Sequence, residues 1–145
     1  VKIFKFPKAE NYREEEELAE LKIAKDKEFK YVVITNPTDS NRIYIIDKIT
    51  FHNCKYNEIN FYSYEDLKNM EEDSNFGSLK INFKVHEGED EDKLLLYRTK
   101  TDQSSGNKLI DKEYFVVLPG GSLFIEMSNW VKDGWLKLAV GEELI

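Results

Sequence analysis

Few side chains in this sequence can do chemistry, and their spacing excludes most of it. His52 and His86 are the only imidazoles, and Cys54 is the only thiol. His52 and Cys54 are two apart, so a strand would carry both on one face, as a zinc site would require. Structural zinc needs four ligands and no second His/Cys pair exists, so a strand-end histidine beside a buried cysteine is the expectation. The run Glu87-Gly88-Glu89-Asp90-Glu91-Asp92 offers five carboxylates to calcium, but their order does not match an EF-hand loop. Like charges in a row repel and stay in water, so a solvated hairpin tip is expected there. Glu126 and Asp133 are acids that glycoside hydrolysis could pair, a mechanism that depends on separation in space. Ser122 lacks the Gly-x-Ser-x-Gly elbow, and no histidine follows it to act as base.

A barrel metal site of the cupin type places a His and an Asn after a Pro-x-Gly turn. Pro119-Gly120-Gly121 resembles that turn, but Phe124 and Ser128 stand at the His and Asn positions, and the paired histidines of the first motif are missing. The chain therefore reads as a non-enzyme with no catalytic residue, no metal and no cofactor. Aromatic side chains remain. Trp130 and Trp135, with Tyr62 and Tyr64, could form a platform on which sugar rings stack, although two tryptophans in a small β-domain more often serve a core or an interface. Trp130, Trp135, Phe4 and Phe6 are the candidate oligomer or ligand contacts.

The elements that must position these residues are strands. With 145 residues, 41% of them hydrophobic, the chain can bury one core, and residues 1–145 are expected to form a single domain. Aromatics reach 13% and alternate with Val and Ile in short runs, which suits half-buried strands. Acidic residues outnumber basic ones 28 to 21, and a net charge of −7 argues against nucleic acid and anionic membranes as partners. One cysteine cannot make an internal disulfide, which fits a reducing compartment. The start of the sequence lacks a signal-like apolar region and no stretch approaches a membrane span, so a soluble chain is expected.

Residues 3–6 read as a short strand stopped by Pro7, either an edge strand or an arm. Residues 11–27 begin with helical composition at the four glutamates 14–17, but Leu21 and Ile23 equally suit a strand that turns at Lys25-Asp26-Lys27. Residues 29–34 and 42–51 alternate on either side of an Asn36-Pro37 turn, with an offset near Asp47 that suggests a bulge. Residues 57–64 alternate again, one helical turn is possible at 65–70, and Leu79, Ile81, Phe83 and Val85 give the cleanest period of two. Residues 94–97 form a short apolar run, and 102–107 a polar excursion. Residues 114–127 read as strand, tight Pro119-Gly120-Gly121 turn and strand, and residues 135–140 close the domain. The sum is an all-β chain, an antiparallel β-sandwich of jelly-roll type with roughly eight to ten strands and at most one or two short helices.

Two segments resemble the small β-sandwich structural proteins of tailed bacteriophage virions. Residues 31–45, with Asn36-Pro37 between two strands, look like their strand, Asn-Pro turn, strand unit; Val117-Leu118-Pro119-Gly120-Gly121-Ser122-Leu123-Phe124-Ile125 is similar to their late Leu-Pro-Gly hairpin. The resemblance implies a virion component of head, neck or tail, without enzymatic activity, assembled in the bacterial host cytoplasm. Its implied partners are copies of itself, as a homo-oligomer, and other virion proteins.

Overall fold

The computed structural model describes residues 1–9, 18–52, 56–65, 74–83, 93–102 and 106–145. Within them lie twelve strands and no helix: β1 (Ile3–Pro7), β2 (Ala19–Ala24), β3 (Phe29–Thr35), β4 (Arg42–His52), β5 (Asn57–Glu65), β6 (Ser74–Phe76), β7 (Leu79–Asn82), β8 (Leu94–Thr101), β9 (Asn107–Ile110), β10 (Glu113–Val117), β11 (Gly121–Val131) and β12 (Trp135–Leu144). The count exceeds the eight to ten expected because β6 and β9 are three and four residues long, too short to show a period of their own. The glutamates 14–17, Cys54, residues 66–70 of the expected helical turn, Val85, His86 and the acidic run 87–92 lie outside the described residues.

Two antiparallel sheets form the sandwich. The first has the order β1-β10-β4-β12-β2, with β9 beside β4, and the second the order β6-β7-β3-β11-β5-β8. Alternation supplies the inner faces: Ile3, Tyr44, Ile46, Ile49, Phe51, Phe115, Val117, Leu136 and Leu138 come from the first sheet, and Val32, Ile34, Ile59, Phe61, Leu123, Ile125 and Met127 from the second. All are buried in one core. Each such side chain contributes roughly 1.5–3 kcal/mol by leaving water, and Phe61 meets Phe115 across the layers at 5.6 Å. The offset near Asp47 is a bulge. Pairing of β12 with β4 steps from Ala139 opposite Lys48 to Val140 opposite Ile46, leaving Asp47 as the extra residue. That step brings both Ile46 and Ile49, three apart, onto the inner face.

The strands flanking Pro119-Gly120 do not pair with each other. Strand β10 belongs to the first sheet and β11 to the second, so the expected hairpin is instead a corner between layers. The Asn36-Pro37 segment is a second corner, carrying β3 of the second sheet into β4 of the first. The Pro-Gly corner is a type II turn: Gly121 N donates to Leu118 O at 3.0 Å, Pro119 takes the first central position, and Gly120 has φ +90°. Gly121 lies so close to the chain's start that a Cβ there would stand 2.9 Å from the Lys2 Cβ.

Asn36 joins the two corners. Its backbone N donates to Gly121 O at 2.9 Å, and its carbonyl accepts from Gly120 N at 2.7 Å. Its side-chain amide donates to Arg42 O at 2.9 Å and to Val117 O at 3.0 Å, while its Oδ1 accepts from Ser40 Oγ at 2.6 Å. The residue is 0% exposed. A buried amide with every group engaged fixes both sheet crossings at once, so the two most turn-like motifs of the sequence are one structural unit.

Candidate functional site

Strand β1 is an edge strand rather than a detached arm. Its residues pair with β10, from Ile3 opposite Val117 to Pro7 opposite Glu113, and Ile3 is buried in the core. Just beyond it, Lys8 Nζ lies 3.3 Å from the buried Asp47 carboxylate and donates to Asp47 O at 2.9 Å. Period-two alternation then turns Phe4 and Phe6 outward. They are 40% and 42% exposed, their rings are 6.3 Å apart, and Phe6 lies 5.6 Å from Tyr114. Register extends this surface across the sheet: Phe4 opposes Val116, which opposes Ile45, which opposes Gly141. An apolar band thus crosses the outer face of the first sheet from its β1 edge. On the opposite side of β1, Lys5 lies 3.5 Å from Glu113 at the rim of the sandwich. An exposed aromatic face beside an edge strand has the composition of a protein contact.

The two tryptophans stand apart in role. Trp135 opens β12, stacks on His52 with ring centroids 4.1 Å apart, and carries the Lys22 ammonium 4.5 Å from its ring. It therefore belongs to the outer surface of the first sheet, and His52 is engaged with an indole. Trp130 is 61% exposed, so it does not serve the core. The cause is a bulge in β11 between Glu126 and Val131, which leaves residues 128, 129 and 130 all facing outward. This bulge is clamped to β5: Glu58 N donates to Ser128 Oγ at 2.8 Å, Asn129 N to Asn57 Oδ1 at 2.7 Å, and Asn129 Nδ2 to Tyr56 O at 3.1 Å.

The remaining chemical candidates are not gathered. Ser122 is buried, and its hydroxyl lies 2.8 Å from Thr35 Oγ1. Glu126 accepts from Asn60 Nδ2 at 3.4 Å in the middle of the second sheet, whereas Asp133 occupies the turn after β11 at φ +61°. Tyr62 and Tyr64 do not extend a platform from Trp130; they pack on Phe124 at 6.3 and 5.3 Å. Among the described residues, no group of three or more His, Cys, Asp or Glu is placed to hold a metal ion. No described helix is long and apolar enough to cross a membrane.

Sequence reasoning missed Tyr114, Val116 and Ile45 as neighbours of the Phe4/Phe6 pair, because only strand register brings them together. It also missed Tyr56, which is 45% exposed and donates to Glu58 Oε1 at 3.3 Å. Desolvation, then the charge of Glu58 and the hydrogen bond to it, hold the Tyr56 phenol above its ordinary pKa, so it stays a neutral donor. Comparison with family models, curated proteins and solved structures found no match.

Proposed function

We propose that this chain is a non-enzymatic structural protein of a tailed-bacteriophage virion, working through contacts with copies of itself and with other virion proteins. The observation that carries the reading is the aromatic band led by Phe4 and Phe6 at the open β1 edge, an apolar surface of the kind assemblies cover. The two corner motifs joined at Asn36 are the segments that resemble virion sandwiches, and the net charge of −7 suits contact with protein rather than with packaged nucleic acid. Mass spectrometry of purified particles from the source tests it. A fixed copy number per particle is expected, and absence from particles would refute the virion assignment.

A second reading is favoured by one observation. Trp130 projects from a clamped bulge with most of its indole in water, as a ring that stacks on a carbohydrate or receptor would.

A further inference from the structure

We infer that the outer face of the second sheet, along β5 and β8, is a binding groove for an uncharged oligosaccharide, with Trp130 and Tyr56 as stacking rings at its head. The inference rests on the second reading above and supplies its site and ligand class. Two open clefts of about 660 and 610 Å³ share Lys100 in their walls, the second on this face and the first at its β8 edge, where β9 of the first sheet adds Asn107 and Lys108. Tyr56 and Asn107 line the first, and Glu58, Asn60 and Arg98 the second.

Strand register explains how the floor is composed. Glu58 opposes Lys100, and Asn60 opposes Arg98 on one side and Glu126 on the other. Acid, amide and base therefore alternate across neighbouring strands, offering donors and acceptors with little net charge. A phosphate or an acidic polymer would meet carboxylates there, and a basic peptide would meet Lys100 and Arg98. A chain of hydroxyl groups can use both kinds of partner. Tyr56 to Asn60 spans roughly 13 Å at the rise of an extended strand, which is the length of a short oligosaccharide and too long for one sugar.

The aromatic head is held in advance. Three hydrogen bonds fasten the 128–129 bulge to residues 56–58, so Trp130 and Tyr56 are carried by segments that are already ordered. Tyr56 is neutral and presents both a ring and a hydroxyl. Pyranose faces of C–H groups pack on such rings while their equatorial hydroxyls reach the polar floor, and a fixed platform loses little freedom when the sugar arrives.

The test is a printed array of neutral and charged oligosaccharides from one to eight units, probed with wild-type protein and with Trp130→Ala, Tyr56→Ala and Lys100→Ala. Binding to neutral glycans of three or more units is expected, with at least a tenfold loss in Trp130→Ala and a several-fold loss in each of the others. In a Trp135→Phe background, the bound glycan should shift the Trp130 emission to the blue. Thermal unfolding of each variant separates lost binding from lost fold. Glycan binding undiminished in both Trp130→Ala and Tyr56→Ala would overturn this site while leaving the carbohydrate reading standing. Retention of charged glycans alone, or of single sugars alone, would overturn the ligand class. No binding to any glycan would overturn the site and that reading together, as would a change of oligomeric state in Trp130→Ala.

Discussion

Asn36→Ala is the substitution that asks most of the fold. Three side-chain hydrogen bonds vanish, those to Arg42 O, Val117 O and from Ser40 Oγ. At about 1 kcal/mol each they account for about 3 kcal/mol, and the buried Val117 carbonyl left without this donor adds up to about 1 more. The expected loss is about 3–4 kcal/mol, a large share of the 5–15 kcal/mol typical of a domain. With a urea slope of roughly 2 kcal/mol/M, the unfolding midpoint falls by about 1.5–2 M with no change in slope. Asn36→Asp keeps the acceptor for Ser40 but turns a carboxylate toward two carbonyls, so it should cost at least as much. Urea unfolding followed by tryptophan fluorescence and by far-UV circular dichroism reads both variants. A midpoint shift below about 0.5 M for Asn36→Ala, which is about 1 kcal/mol, would refute the claim that this amide locks the two corners.

Other substitutions act at neighbouring points of the same fold. Gly120→Ala places a Cβ at φ +90° and 3.2 Å from Thr38 Cγ2, and thermal unfolding should show a loss of about 1–2 kcal/mol. Lys8→Met withdraws the ammonium from the buried Asp47 carboxylate and should cost on the order of 3 kcal/mol in chemical denaturation, with part of it recovered in the double variant carrying Asp47→Asn. Trp135→Ala removes the ring between His52 and Lys22 on an outer surface; a loss near 1 kcal/mol is expected, and a loss several times larger would mean that the indole supports the core.

Strand positions were legible where one face is buried and the other wet. Leu79 and Ile81 show it plainly, as do Ile59 and Phe61, because a period of two survives wherever a strand has a core side. Turn chemistry was legible too, but only locally. Pro119 and Gly120 dictate a reversal of the chain, and nothing in those residues states whether the strands that follow will pair or part into separate layers. That choice is made by β1 and β4 claiming the two edges of β10, and by β3 and β5 claiming those of β11. The role of Asn36 was hidden for the same reason, since its partners Val117 and Gly121 lie more than eighty residues away.

The surface candidates divide along similar lines. Phe4 and Phe6 could be read as a pair on one face, yet their continuation through Val116 to Ile45 exists only in the register. Trp130 was legible as a residue of interest, but its exposure depends on a bulge that breaks alternation, and no run of residue types in 126–131 announces the inserted residues. Tyr56 precedes its alternating strand and carried no signal of its own; the hydrogen bond from Asn129 to its carbonyl is what ties it to the bulge that carries Trp130.

Sedimentation velocity of the wild-type chain beside a Phe4→Ser, Phe6→Ser double variant, from low to high micromolar concentration, tests most directly whether the aromatic band is an assembly surface. The wild-type chain is expected to sediment as a discrete species larger than a monomer, and the folded double variant as a monomer. A wild-type chain that stays monomeric throughout, or a double variant that assembles as the wild type does, would contradict it.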